Sequence, residues 1–448
     1  MTPIYEVLKQ YAAQAPARFH MPGHKGNFLP VPELAGAASL DVTEIPGTGN
    51  LYLEGEPFTS AQALWAEAFG FESCQFLTGG STMGIHTGLA LLCAPGETVL
   101  VDRNCHRAVF HAMALLDLKP VYLERPWLRE ENLIGPISPT DVEHVLNLHP
   151  EIKTVCITSP TYSGILSNVE EISHMVHARG GKLFIDGAHG AHLPFLGLAP
   201  FEGADAVVVS AHKTLPALGQ AALLFTNGVE PDRVRQMASV FGTSSPSYPI
   251  LASIDCARAW LEEDGAEDYR LAALRTGELR KKYPALRDGG LSLDPTRLTV
   301  SVQDGPAFAR ALEEQGVFPE MEDGGHVVFI CTPQDLQENF GRLEAALEKL
   351  RGQMGACPPI PAPPLPEQVC SIRSALFAPT ERRPLYQCVG RVSAVQIAPY
   401  PPGVPVVAPG ERITEKELAY FQKIGYNETD IPVLVGCGGD GIDPEAAK

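Results

Sequence analysis

Near its middle the chain reads Leu183-Phe184-Ile185-Asp186-Gly187-Ala188-His189-Gly190, an apolar run that ends in an aspartate. A second apolar run, Val207-Val208-Val209, leads directly into Ser210-Ala211-His212-Lys213-Thr214. Short apolar runs bounded by small and polar residues are typical of buried strands. Because ligands bind at the carboxyl ends of parallel strands, we expect the carboxylate and the lysine to face one site.

The flanking sequence repeats this pattern. Apolar runs predict strands at Ser73–Leu77, Thr98–Val101, Val121–Leu123, Thr154–Thr158, Leu183–Ile185 and Ala206–Val209. Helical spacing predicts helices at Gly84–Leu92, Ala108–Leu116, Pro139–Asn147 and Val169–Ala178, then a long helical stretch at about Ser247–Tyr283 and a helix at Pro333–Arg351. The alternation predicts an α/β fold with a mainly parallel sheet between helices.

The 448 residues are enough for two or three domains. We predict an N-terminal arm and interface segment at 1–58, a large domain at 59–265, a small α+β domain at 266–356 and a C-terminal domain at 357–448. The last begins with the proline-rich stretch Cys357–Pro366, which favours a stiff, extended connector.

Charge and composition exclude several classes of protein. The formal net charge is −19, which disfavours binding to nucleic acid or to an anionic membrane surface. We expect no membrane span and no secretion signal, and therefore a cytoplasmic protein. The ten cysteines form no CxxC pair and no zinc-finger spacing with histidine, so no metal site is expected.

The aspartate and the lysine suit the chemistry of pyridoxal 5'-phosphate (PLP). The amine of Lys213 would bind the cofactor covalently, and Asp186 would keep its pyridine nitrogen protonated, so that the ring can act as an electron sink. The alternative is a surface lysine and a helix-capping aspartate. Their order and flanking residues favour the PLP interpretation.

Two further segments fit this cofactor. Phe76–Gly84 runs from a strand through Thr78-Gly79-Gly80-Ser81-Thr82 into a helix, as in many phosphate sites, although it is also an ordinary turn and N-cap. Ser210 and His212 can add phosphate contacts. His106 follows a strand and could stack on a flat cofactor ring, or be an ordinary loop histidine at a helix start.

With these residues in place, the sequence resembles the Orn/Lys/Arg decarboxylase family, PLP-dependent enzymes of the aspartate-aminotransferase-like fold (fold type I). The resemblance spans nearly the whole chain, in a short form without the N-terminal wing domain of longer members. It rests on these motifs: Phe19–Gly26, Asp41–Glu44, Asp102–His106, Pro160–Tyr162, Asp186–His189, Ser210–Pro216, Thr243–Tyr248, Tyr400–Pro405 and Pro409–Glu411.

The resemblance implies roles for individual residues. Lys213 would form the Schiff base, Asp186 would pair with the pyridinium nitrogen, His189 would line the ring near its oxygen, and His106 would stack on it. The phosphate would be held by Ser81, Thr82, Ser210 and His212. Thr243 and Ser244 would reach it from a partner subunit, which implies a homodimer with shared active sites.

The implied reaction is decarboxylation of a basic L-amino acid (arginine, lysine or ornithine) to the amine and CO2, a step of polyamine biosynthesis. Two departures bear on the substrate. The chain reads Gly49-Asn50-Leu51-Tyr52 where the family usually shows an acidic pair followed by Leu-His, and Gln396 stands where smaller members often carry a glutamate. Another fold type I reaction therefore stays open (an aminotransferase, a lyase or a decarboxylase of a non-basic amino acid), as does a non-catalytic protein that kept the fold.

Overall fold

The structure is a computed structural model that describes residues 1–399 and 405–436. Its helices are α1 (Pro3–Ala13), α2 (Ala35–Ala38), α3 (Phe58–Phe69), α4 (Gly80–Leu92), α5 (Arg107–Leu116), α6 (Pro139–Leu148), α7 (Val169–His177), α8 (Ala211–Thr214), α9 (Pro231–Phe241), α10 (Tyr248–Trp260), α11 (Ala266–Lys282), α12 (Gly305–Glu313), α13 (Asn339–Lys349), α14 (Ile372–Phe377) and α15 (Glu415–Lys423).

The strands alternate with these helices. They are β1 (Ser73–Leu77), β2 (Thr98–Asp102), β3 (Lys119–Leu123), β4 (Trp127–Leu128), β5 (Leu133–Ile134), β6 (Thr154–Thr158), β7 (Ile165–Leu166), β8 (Lys182–Asp186), β9 (Ala206–Val209), β10 (Ala222–Thr226), β11 (Ser292–Leu293), β12 (Arg297–Ser301), β13 (Met321–Glu322), β14 (His326–Ile330), β15 (Thr380–Arg383) and β16 (Ile431–Leu434). The alternation confirms the predicted α/β class.

The chain forms two compact units. The first consists of residues 1–92, 159–161 and 169–272, and the second of the described residues among 93–158, 162–168, 273–399 and 405–436. The division into four consecutive segments stays a prediction. Within the described residues, no helix combines the length and the apolar character that a membrane span needs.

In the first unit the strands lie in the order β1-β10-β9-β8. Strands β8 and β9 are parallel, with Asp186 opposite Val208, whereas β10 is antiparallel to both β9 and β1. The strands are almost entirely buried, which explains why their sequences read as continuous apolar runs instead of alternating ones. The two strands that carry the aspartate and the lysine therefore end side by side.

Two glycines bring α4 close to this sheet. A Cβ at Gly84 would lie 2.3 Å from Cγ2 of Val208, and a Cβ at Gly88 would lie 2.2 Å from Cε2 of Phe184. Any larger side chain would push the helix away from strands β9 and β8. The glycines thus fix where the first turn of α4 lies relative to the strands that carry Asp186 and lead to Lys213.

The N-terminal helix α1 is anchored on α10 in the same unit. The buried carboxylate of Asp255 accepts hydrogen bonds from the backbone N–H of Ile4 at 2.8 Å and of Tyr5 at 3.3 Å. An anion suits the start of a helix because the first N–H groups have no partner within the helix.

In the second unit β2 lies between β3 and β6, and both pairs are parallel. Strands β12, β14 and β13 form a separate antiparallel sheet, and β15 pairs with β16. The proline-rich connector is tied to this unit by side chains: Nε1 of Trp127 donates to the carbonyl of Ile360, whose N–H donates to Asn132.

Some predicted elements differ from the observed ones. Strand β10 was not predicted, because a short apolar run has no periodicity that separates a strand from a buried helix. The helix expected from Pro333 begins as α13 only at Asn339, since Thr332 and Asp335 close a capping box around a separate 3-10 turn. The long stretch at about Ser247–Tyr283 is interrupted by a π-helical turn at Leu261–Gly265.

Candidate active site

Asp186 and Lys213 follow neighbouring parallel strands in the first unit. Asp186 is the last residue of β8, and Lys213 lies in the single turn of α8 directly after β9. The register places Asp186 opposite Val208, one residue before the end of β9. The sequence prediction that these two side chains leave adjacent strand ends is confirmed.

The carboxylate of Asp186 is held in place by the loop that follows it. Its side chain is buried, and Oδ1 accepts the N–H of Ala188 at 3.2 Å. Gly187 donates its N–H to the carbonyl of Val208 at 2.9 Å, and a Cβ at this glycine would lie 2.7 Å from Phe201. The glycine after the aspartate is thus needed for the loop to pack on β9.

The amine of Lys213 contacts His189. Its Nζ lies 3.1 Å from Nε2 of the imidazole. When the amine is protonated, Nζ donates to Nε2 and the ring proton of His189 lies on Nδ1. His189 is buried, and the contact therefore brings a strong proton acceptor to the amine in a site that water reaches poorly.

The predicted phosphate residues lie in two places of the first unit. Ser81 and Thr82 are in the first turn of α4, where Ser81 is half-buried and Thr82 is exposed. Ser210 is fully buried at the start of α8, and its Oγ has no hydrogen-bond partner among the described residues. Nδ1 of His212 donates to the carbonyl of Ala221 at 2.8 Å, which fixes the ring.

These residues fit a phosphorylated pyridine cofactor. A buried hydroxyl without a partner is costly, and its donor hydrogen would be satisfied by a phosphate oxygen. Oγ1 of Thr78, just before α4, is likewise buried without a partner in the described part of the chain. Hydroxyl donors, a carboxylate and an amine on one group of strand ends form the donor set that PLP requires.

His106 lies in the second unit. It is the N-cap of α5, where Nδ1 accepts the N–H of Ala108 at 3.2 Å, and its side chain is exposed. A cavity of about 550 Å³ adjoins it in the same unit, and its lining includes Tyr162 and Gln396. The stacking contact expected of His106 stays a prediction.

Thr243 and Ser244 are exposed in the segment between α9 and α10. Oγ1 of Thr243 accepts the N–H of Ser245 at 3.2 Å, as in a local turn. Of the 400–405 motif, only Pro405 falls within the described residues.

Sequence reasoning missed a buried ion pair in the second unit. Arg103 donates from both terminal nitrogens to Glu411, at 2.6 and 2.7 Å, and its guanidinium lies over the ring of Tyr122. Burial lowers the pKa of Arg103, but the Glu411 carboxylate more than offsets this, so the pKa is raised overall. Both residues belong to quoted motifs, yet nothing in the sequence signals a contact across 308 positions.

Comparisons with known proteins match this chain to one family over most of its length. The model of the Orn/Lys/Arg decarboxylase major domain matches residues 2–296, and that of the family's C-terminal domain matches residues 368–433. An arginine decarboxylase of Bacillus subtilis is 30% identical over 94% of this chain and 93% of its own length. An arginine decarboxylase of Halalkalibacterium halodurans is 30% identical over 96% of this chain and 94% of its own length.

The fold has solved counterparts. The constitutive lysine decarboxylase of Escherichia coli matches with a TM-score of 0.81 and 21% identity, over 97% of this chain and 82% of that one. Fold and site together define a PLP-dependent enzyme of fold type I. Within that class the chain belongs to the Orn/Lys/Arg decarboxylase family, whose members are PLP-dependent amino acid decarboxylases.

Proposed function

We propose that this enzyme converts L-arginine, or one of the related basic amino acids lysine and ornithine, to the corresponding amine and CO2. The observation that carries this proposal is the placement of Asp186 and Lys213 on adjacent strand ends, in a chain that belongs to this family. Arginine is favoured because relatives 30% identical over nearly the whole chain are named arginine decarboxylases. The reaction would serve cytoplasmic polyamine biosynthesis.

Each residue of the first-unit site has a proposed task. Bound PLP supplies an electron sink for the electron pair of the breaking bond between Cα and the carboxylate. Lys213 holds the cofactor through its amine, and Asp186 keeps a proton on the pyridine nitrogen. Ser81, Thr82, Ser210 and His212 bind the phosphate.

Proton transfer to the product falls to the Lys213–His189 pair. After CO2 leaves, Cα must receive a proton, and a positioned amine is a suitable donor. Nε2 of His189, 3.1 Å from Nζ, orients that amine and can exchange protons with it. His106, which lies in the second unit, would stack on the cofactor ring.

The homodimer is part of the same proposal. Exposed Thr243 and Ser244 are free to reach the phosphate of a partner subunit. Large apolar side chains are exposed near the N-terminus, among them Phe19 and Phe28, at 96% and 69% of their surface, which suits an interface. Co-expression of Lys213→Ala with Ser244→Trp tests shared sites: mixed dimers should regain activity that neither variant has alone.

The substrate is tested by incubating the purified holoenzyme with arginine, lysine, ornithine and a panel of non-basic amino acids. Amine and CO2 are then measured together. We expect release from a basic amino acid. Release from none of the three would refute the proposed substrate class, and formation of a keto acid with pyridoxamine phosphate would show a transaminase instead.

A further inference from the structure

Tyr269 contacts both loops that carry the lysine and the histidine of the site. It lies in the first turn of α11 and is fully buried in the first unit. Its hydroxyl donates to the backbone carbonyl of Thr214, the residue after Lys213. Its ring stacks on that of His192, with the centroids 5.7 Å apart and the planes inclined by 29°. His192 follows His189 by one short turn, so a single side chain reaches both members of the Lys213–His189 pair.

The hydroxyl of Tyr269 completes a very short helix. Helix α8 has a single turn, and the last carbonyls of a helix have no partner within it. The chain leaves α8 in an extended conformation at Leu215, so no further helical turn follows to bond the carbonyl of Thr214. A buried carbonyl without a donor is costly. The tyrosine supplies that donor and thereby fixes the backbone next to Lys213.

The loop after β8 links the position of His192 to that of His189. Gly190 donates its N–H to the carbonyl of Gly187 at 2.8 Å, and Leu193 donates its N–H to the carbonyl of Gly190 at 3.1 Å. Two consecutive turns therefore join the two histidines. His192 is itself fully buried, and stacked rings favour a defined mutual geometry. Holding the ring of His192 thus restrains the turns that carry His189.

Tyr269 is held in turn by a neighbour from α10. The ring of Trp260, the last residue of α10, packs edge to face against it, with the centroids 6.1 Å apart and an interplanar angle of 60°. The π-helical turn at Leu261–Gly265 lies between the two residues in the chain, and such turns are frequent near functional sites. A Cβ at Gly265 would lie 2.7 Å from Trp260, so the glycine leaves room for the indole that supports Tyr269.

We infer that Tyr269 is a positioning residue, which holds Lys213 and His189 so that Nζ and Nε2 lie 3.1 Å apart. It acts through the carbonyl of Thr214 and the ring of His192 and takes no part in the chemistry itself. All of these residues belong to the first unit. The inference rests on the proposed function, in which the lysine binds PLP and the pair returns a proton to the product.

The test is Tyr269→Phe, which removes the hydroxyl and keeps the ring for its packing. The rate of covalent attachment of PLP to Lys213 in the full-length apoprotein is followed by the cofactor absorption band, without any substrate. We expect this rate to fall about tenfold, because a misoriented amine meets the cofactor less often in a reactive geometry. The matched control is Tyr283→Phe, which loses a hydroxyl that donates to the carbonyl of Glu344 in α13 at 3.2 Å. The control should lower the melting temperature and keep the wild-type rate of attachment.

A double-mutant cycle separates positioning from a general loss of structure. Tyr269→Phe should lower kcat about tenfold in the wild type but less than about twofold in His189→Gln, because the contact it supports is already gone. Independent losses that multiply in the double variant would overturn the inference, as would a wild-type rate of attachment in Tyr269→Phe. Should Tyr269→Phe not fold, Trp260→Phe is measured in the same way with the same expectation. A wild type that attaches PLP and responds to these substitutions, but releases no amine, would overturn only the proposed reaction.

Discussion

Nζ of Lys213 lies 3.1 Å from Nε2 of His189, and the two residues reach each other from the loops after two adjacent parallel strands. An amine and an imidazole at this distance form a hydrogen bond through which a proton can pass. The contact depends on the strand register, since β8 and β9 must end together for the loops to meet.

His189→Gln should keep the cofactor but slow turnover. Loss of the imidazole removes the group that orients and exchanges protons with the amine, and we expect kcat to fall by about 10²-fold. Steady-state kinetics over a pH series measures this, together with a displaced pH optimum. His177→Gln is the control, because the exposed ring of His177 pairs with the buried carboxylate of Asp205. An unchanged kcat and pH profile in His189→Gln would refute the proton-transfer role.

Asp186→Asn should retain PLP and lose activity. An amide cannot hold a positive charge on the pyridine nitrogen as a carboxylate does, so kcat should drop by about 10²-fold or more while KM changes little. Asp205→Asn is a matched control: Asp205 is also buried, but it bonds Lys182 and the N–H of Leu183. That control should lower the melting temperature and leave kcat intact. Full activity of Asp186→Asn would contradict the assignment.

Ser210→Ala should weaken PLP binding without destabilising the apoprotein. Its Oγ bonds nothing among the described residues, so its removal costs the apo state little. A lost hydrogen bond to a charged phosphate is worth about 1.5–3 kcal/mol, or roughly 10- to 100-fold in Kd. Ser173→Ala is the control and should destabilise the apoprotein without weakening PLP binding. Its buried hydroxyl donates to the carbonyl of Gly203 at 2.7 Å. Fluorescence titration with PLP and thermal melts separate the two; an unchanged Kd in Ser210→Ala would exclude its phosphate contact.

Asp255 should make stability depend on pH. Burial raises its pKa from 3.8 to about 6, against the lowering effect of its bonds from Tyr5 and Ile4. The folded protein therefore binds the proton more tightly than the unfolded chain, and this group contributes less stability as the pH rises from about 4 to about 6, by up to about 3 kcal/mol.

Melting curves of the wild type and of Asp255→Asn at matched pH measure this contribution. The variant cannot titrate here, so its stability relative to the wild type should improve steadily between about pH 4 and pH 6 and then level off. A difference between the two proteins that stays constant across that range would show that the carboxyl is not perturbed.

The central part of the fold could be predicted because its signal is local. Buried parallel strands are continuous apolar runs, so the ends of β8 and β9, and with them Asp186 and Lys213, were visible in the sequence. Interruptions of helices that depend on packing were not visible in the sequence. The π-helical turn at Leu261–Gly265, for example, places Gly265 so that a Cβ would lie 2.7 Å from Trp260. No periodicity reports such a contact.

The candidate site, too, could be predicted from the sequence only in part. Residue types and order indicated PLP, but the contact between Lys213 and His189, the lack of a partner for Ser210 and the Arg103–Glu411 pair depend on side chains brought together by the tertiary fold. Gln396 was noticed only as a departure from the family. Its buried oxygen and the cavity it lines required coordinates.

The most direct test of the decarboxylase account is turnover of L-arginine with an isotopically labelled carboxyl carbon in deuterated water, comparing the wild type with Lys213→Ala and with the exposed-lysine control Lys416→Ala. For the wild type and Lys416→Ala, we predict that the label appears in CO2 in an amount equal to the amine formed, that the amine carries one deuterium on the carbon that lost the carboxylate, and that Lys213→Ala gives neither product. Label retained in a keto acid, or undiminished CO2 release by Lys213→Ala, would contradict the account.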